Sequence, residues 1–136
     1  MKKAVQKTRG ARNHNPLNIR IGNTWLGEVA NPTESEFEQF VSDFYGLRAA
    51  FIILRRYIRR YHKDTIRKII STWAPATENK TDLYISFVST NTSIDPDATI
   101  DYEDTTQIVP IVIAMAYYES RMSIPYNDAL LAYKKA

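Results

Sequence analysis

Ile108-Val109-Pro110-Ile111-Val112-Ile113-Ala114-Met115-Ala116-Tyr117-Tyr118-Glu119-Ser120 is the most apolar stretch of the chain, and it ends on a carboxyl. Apolar residues on every side of a helical wheel mark a helix buried all round. The stretch therefore predicts a central helix from about Asp104 to Ser120, with Pro110 in its early turns as a source of a kink. Its apolar run, Ile108 to Tyr118, is eleven residues long, short of the roughly 20 that a bilayer span needs. This is a core helix, and it carries Glu119 to a place where water is partly excluded.

On either side the helical period recurs. Leu47, Phe51, Leu54, Ile58 and Tyr61 form one stripe, widened by Ala50 and Tyr57, with Ser42 or Asp43 as cap. Arg48, Arg55, Arg56, Arg59, Arg60 and Lys63 fall on the other face. Asp64 caps a helix Thr65 to Trp73 with Ile66, Ile69, Ile70 and Trp73 inward, stopped by Ala74-Pro75. A further helix starts near Thr81 with Leu83, Tyr84, Phe87 and Val88 inward, and a last one, capped by Asn127, runs from Asp128 to Tyr133. Nearer the N-terminus the pattern shortens. Asn18–Ile21, Thr24–Leu26 and Glu36–Val41 are separated by Gly22-Asn23, Gly27 and Asn31-Pro32, which predicts three antiparallel strands. The expected fold class is α+β, mainly helical, with about five helices and a small three-stranded antiparallel sheet near the N-terminus. Residues 1–8 read as a basic flexible tail and 9–136 as a single domain.

With 44% hydrophobic and 24% charged residues among 136, the composition excludes disordered and collagen-like classes. The absence of cysteine excludes a disulfide scaffold, a thiol nucleophile and thiolate metal sites. His14 and His62 show no HExxH spacing, so no metal or cofactor is implied. Nor is there a GxGxxG, GxxxxGK or GxSxG motif. The basic start has no apolar segment after it, so the expectation is synthesis in the cytoplasm without a signal peptide. Residues 1–70 hold 14 Lys/Arg against 6 Asp/Glu, a net +8, and residues 71–136 hold 4 against 9, a net −5. That split predicts a polyanionic partner (a wall polymer, acidic lipid or nucleic acid), set against the plainer reading of a solvated helix face.

What remains is carboxylate chemistry. A glutamate closing a buried apolar helix beside two tyrosines is desolvated, which raises its pKa as a general acid requires. Glu119 is thus the candidate acid, against the alternative that it faces water at the helix end. Glu78 and Glu28 are the second-carboxylate candidates; Glu78 can equally cap the helix that follows it. Asn13, Asn15 and Asn18, in Arg12-Asn13-His14-Asn15-Pro16-Leu17-Asn18-Ile19-Arg20, read as a structured turn or as amides lining a sugar site. Trp25 is the candidate sugar platform, and Tyr118 and Ser120 complete the substrate-binding set.

Several strings carry a family resemblance. Arg9-Gly10-Ala11-Arg12-Asn13-His14-Asn15-Pro16-Leu17-Asn18-Ile19-Arg20, Trp25-Leu26-Gly27, Phe37-Glu38-Gln39-Phe40, Tyr45-Gly46-Leu47-Arg48-Ala49 and Trp73-Ala74-Pro75 with Glu78-Asn79, Thr81 and Tyr84 occur in that order. Together they resemble a family of phage and prophage virion-associated proteins described as lysozyme-like or structural. His14 stands where that family has asparagine, and Arg121 where it has a glycine after Glu-Asn. The chain is more distantly similar to cell-wall glucosaminidases and lytic transglycosylases in rotated order, which implies a circularly permuted lysozyme-like fold. The resemblance implies cleavage of peptidoglycan glycan strands, at the cell wall or within a phage particle, with Glu119 as the single acid. The alternative it leaves is a non-catalytic virion protein that binds wall or other virion proteins; a nucleic-acid-binding module using Arg48 to Lys68 is third.

Overall fold

The computed structural model of the chain describes residues 6–75 and 78–136, without the side chains of Glu78 and Asn79. Among the described residues six helices follow one another: α1 (Arg9–Arg12), α2 (Asp43–Tyr61), α3 (Ile66–Trp73), α4 (Glu78–Thr92), α5 (Thr105–Ser120) and α6 (Tyr126–Lys134). The apolar helix is central, as its composition dictates. Ile108, Val109, Ile111, Val112, Met115 and Ala116 of α5 have no exposed surface, and α5 packs against α4, α6, α2 and α1. Asp104 caps it, accepting from Thr106 N at 3.0 Å. Pro110 lies inside α5 without ending it. Among the described residues no helix is long and apolar enough to cross a membrane.

The stripe of α2 buries Leu47, Phe51 and Leu54 and then runs out to the surface, where Tyr61 is exposed. His62 ends the helix in the left-handed region at φ 55. The cap of α3 is Thr65 rather than Asp64: its hydroxyl accepts from Lys68 N at 3.1 Å, while the Asp64 carbonyl accepts from Ile100 N. In α4 the inward residues are Tyr84, Ile85 and Val88; Leu83, expected inside, is 65% exposed.

The expected sheet does not form, and the α+β class is corrected to all-helical. Among the described residues 18–41 make only two isolated antiparallel bridges, Arg20 with Phe37 and Glu28 with Phe40. The reason is local. Asn18 (φ 52), Gly22 (φ 147) and Gly27 (φ 85) break each extended run, and side chains take the backbone groups that a ladder would use. Asn15 Oδ1 accepts from Ile19 N at 2.9 Å, Asn15 Nδ2 donates to the Ile19 and Glu38 carbonyls, and Glu28 Oε1 accepts from Trp25 N at 3.1 Å. The permuted lysozyme-like arrangement, which needed that sheet opposite Glu119, falls with it.

The 13–18 loop seats directly on α2. A Cβ at Gly46 would lie 2.3 Å from the His14 carbonyl oxygen and 2.9 Å from Pro16 Cδ, so the loop can approach only because Gly46 has no side chain. Alanine is the better helix former by about 0.8–1.0 kcal/mol, yet Gly46→Ala should destabilise by about 1–3 kcal/mol through this overlap with backbone. A urea midpoint at or above the parent's would refute that close seating. His14 itself sits at φ 50, a region asparagine and histidine both tolerate, and its Nδ1 lies 2.7 Å from Asp43 Oδ1.

Candidate functional site

A cleft of about 600 Å³ opens where the 18–37 segment faces the C-terminal end of α2, the end of α3 and the end of α5. Asn18, Arg20, Asn23 and Phe37 form one wall; Ile53, Arg56, Tyr57 and Tyr61 of α2 form another; Trp73, Ala74 and Pro75 close a third. Glu119 is the one acidic residue lining it among the described residues.

The apolar helix sets the chemistry of that acid. Half-buried at the last turn of α5, Glu119 is pushed above its ordinary pKa by burial, with hydrogen bonds from Tyr84 and Asn18 opposing the shift. Asn18 reaches it from the left-handed region, where its Nδ2 donates to Glu119 Oε1 at 3.3 Å and to the Glu119 carbonyl at 3.2 Å. The buried Asn18 Oδ1 makes no hydrogen bond. Behind the carboxyl stands Tyr84, 2% exposed, with a hydroxyl that makes no hydrogen bond of good geometry and faces Glu119. Burial first, and the Glu119 charge second, raise its pKa well above the ordinary value. Beyond Glu119 the turn forms without the family's glycine: Arg121 adopts φ 54, and its N–H donates to the Tyr117 carbonyl at 2.8 Å. Its guanidinium lies over the Tyr117 ring, 5.5 Å from the centroid.

Of the other candidates whose side chains are described, Asn18 alone joins Glu119 in the cleft. Asn13 and Asn15 are buried scaffold: Asn13 bridges Glu34 and Gln39, and Asn15 is wholly enclosed. Trp25 is 7% exposed, covered by the Arg56 guanidinium 5.5 Å from its ring, so it offers no open face to a sugar. Tyr118 stacks on Tyr84 at 4.0 Å between centroids. Ser120 is buried against Gly10, whose Cβ would fall 1.8 Å from Ser120 Oγ, and its carbonyl accepts from Thr8 Oγ1 at 2.7 Å. Glu28 turns to Trp25 N and to Glu38 rather than to the cleft. Glu78 opens α4, and its side chain lies outside the described residues.

The sequence reading missed Arg20, Asn23, Phe37, Arg56, Tyr57 and Tyr61 as cleft residues, and it placed Trp73 in the core. Trp73 lies at the last position of α3, where the helical stripe reaches the surface; its indole donates to the Leu17 carbonyl at 3.1 Å. The arginine face of α2 is likewise not bare. Arg59 pairs with Glu103, Arg55 and Arg59 sit over Tyr102, and Arg60 over Tyr61.

Among the described residues one desolvated carboxyl, Glu119, stands in an aromatic-walled cleft of this helical chain, and sequence comparison gives the lineage. No family model matches the chain. It is 37% identical over 114 residues to Protein P5 of Pseudoalteromonas phage PM2, a match covering 81% of this chain and 71% of that protein. The chain belongs to the family of that phage protein. The phage association carried by the motifs therefore stands, while the match shows no lysozyme-like identity.

Proposed function

We propose that this chain is a phage-particle protein that engages glycan strands of the host cell wall in the Glu119 cleft. Kinship with a phage protein supports the first half. The observation that carries the second is the cleft itself, in which one desolvated carboxyl stands opposite Phe37, Tyr57, Tyr61 and Trp73. Arg20, Arg60 and Lys63 lie over Phe37, Tyr61 and Tyr57, which leaves Trp73 as the ring for a sugar, and Asn18, Asn23, Arg20 and Arg56 supply donors for hydroxyl, amide and carboxylate groups.

In the catalytic form of this reading Glu119 donates its proton to the glycosidic oxygen as the C1–O bond breaks. A two-carboxylate hydrolase needs its second group about 5–9.5 Å away, and the described cleft residues hold none. Cleavage then runs through a hydroxyl of the same sugar. It attacks C1 and returns its proton to the Glu119 carboxylate, so one acid serves both halves of the reaction. The non-catalytic form keeps the cleft for attachment or assembly, and the phage kinship supports it better than it supports cleavage. Incubation with purified peptidoglycan, followed by mass analysis of soluble products, separates them. Anhydro-terminated fragments support single-acid cleavage. Pelleting with peptidoglycan and no fragments leaves attachment, and the absence of both pelleting and fragments removes the glycan reading.

A further inference from the structure

The C-terminal half of α2 carries its cations on two flanks. Arg55 and Arg59 meet the 102–103 turn, where Arg59 pairs with Glu103 and both guanidinium groups sit over the Tyr102 ring. Arg56 and Arg60, one turn apart, belong to the flank of the cleft. Arg56 lines the cleft itself, and Arg60 lies over Tyr61, a cleft residue, 5.7 Å from the ring centroid. Lys63 follows the left-handed His62 that ends the helix, and its N–H donates to the Tyr57 carbonyl at 2.8 Å. That closure folds the chain back, and the Lys63 ammonium comes over the Tyr57 ring, also a cleft residue, at 5.7 Å. The plainer reading is a solvated face whose cations favour the negative end of the helix dipole. It accounts for Arg60, in the last turn. It does not account for Arg56, which precedes that turn and repels Arg60 from an i, i+4 position. Among the described residues no carboxylate pairs with Arg56, Arg60 or Lys63.

We propose that Arg56, Arg60 and Lys63 form an anion-reading rim of the cleft, and that the strand it takes is a glycan whose sugars carry carboxylate-bearing substituents. This rests on the glycan reading above and names the class of strand. Each of the three cations is steadied by a ring, Arg56 by Trp25 at 5.5 Å. A guanidinium stacked in this way loses little freedom on binding and can grip a carboxylate with two parallel N–H groups. The opposite wall adds Arg20, whose pair with Glu36 is exposed and 3.7 Å long. Cations therefore stand on both sides of the slot, against one desolvated acid, Glu119. A neutral strand would leave them unanswered, and a strand with carboxylates at intervals answers them. A phosphate backbone fits less well. Three rim cations fall short of the about 6–10 phosphate contacts of a protein that grips DNA, and a slot of about 600 Å³ is the size of a cleft that encloses a small segment of ligand.

Pelleting of the full chain with two forms of one peptidoglycan tests the rim: untreated, and with its carboxyl groups converted to amides by carbodiimide and methylamine. The parent should bind the untreated form about tenfold more tightly at low salt, the sum of three modest exposed charge contacts. That preference should shrink as salt rises. The triple variant Arg56→Gln, Arg60→Gln, Lys63→Gln should bind both forms equally, at the parent's level for the amidated one. Arg55→Gln with Arg59→Gln, on the other flank, should keep the preference. Should the triple variant fail to fold, Arg56→Gln alone should cut the preference about twofold to threefold. A parent that pellets equally with both forms, or a triple variant that keeps the preference, overturns the rim and leaves the glycan reading standing. Equal loss in the Arg55 and Arg59 variant also overturns the rim, because net charge would then suffice. A parent that pellets with neither form overturns the glycan reading and the rim together. Retention on duplex DNA in its place, lost in the triple variant, would assign the three cations to a phosphate backbone.

Discussion

Glu119→Gln should leave a folded protein that still binds peptidoglycan and cuts it ~10²–10⁴-fold more slowly, the usual loss when a general acid is removed. Glutamine keeps the shape and can still accept from Asn18 Nδ2, now 3.3 Å from Oε1; only the transferable proton is gone. Two pH effects accompany the change. The parent's rate should drop as pH rises through the Glu119 pKa, because the acid works protonated and burial holds that pKa above its ordinary 4.5. Stability behaves alike: the fold retains a proton that the unfolded chain releases near 4.5, so the parent loses more stability than the variant as pH rises above that value. Product release measured across pH, with thermal unfolding of both proteins, checks all three. Cutting at the parental rate by Glu119→Gln would remove Glu119 from the chemistry. A parent that pellets with peptidoglycan and releases nothing would leave the attachment reading in possession.

What could be read from the chain beforehand follows from the range of each interaction. The central helix and Glu119 at its end were legible because an unbroken apolar run has one stable place, the core. The stripe of α2 was legible for the same reason, up to Tyr61, where the helix outruns the body it packs on. The short α1 was not legible: four residues, Arg9–Arg12, show no period, and what makes them helical is the Thr8 hydroxyl accepting from Ala11 N. The strands were misread because short runs bounded by Gly, Asn and Pro report extended backbone and not its partners. Here the partners are the Asn15 carboxamide and the Glu28 carboxyl. The two tryptophans were exchanged. Trp25, in an extended stretch, looked free yet is covered by Arg56; Trp73, on an apolar stripe, looked buried yet lines the cleft.

Asn15→Ala should be the most damaging single change in the cleft wall, and it should act through stability and not through sugar contacts. Asn15 has no exposed surface, so it cannot touch a ligand in the folded protein. Its Oδ1 accepts from Ile19 N at 2.9 Å, and its Nδ2 donates to the Ile19 carbonyl at 2.9 Å and the Glu38 carbonyl at 3.0 Å. After truncation the Ile19 carbonyl still receives the Glu38 N–H. The Ile19 N–H and the Glu38 carbonyl lose these partners, at about 1–3 kcal/mol for each buried group left unpaired. A loss of about 3 kcal/mol or more follows, a large fraction of the 5–15 kcal/mol that holds a domain of this kind. Asn13→Ala serves as comparison: its partners Glu34 and Gln39 are only partly buried and can turn to water, so about 1 kcal/mol is expected. If Asn15 were instead a sugar ligand, the ordering would reverse, with melting unchanged and glycan binding lost. Denaturant midpoints and peptidoglycan pelleting on the same two variants decide between them. The outcome expected here also says where the cleft gets its shape, because the amide that orders Ile19 and Glu38 stands directly behind Asn18, Arg20 and Phe37, the wall that faces Glu119.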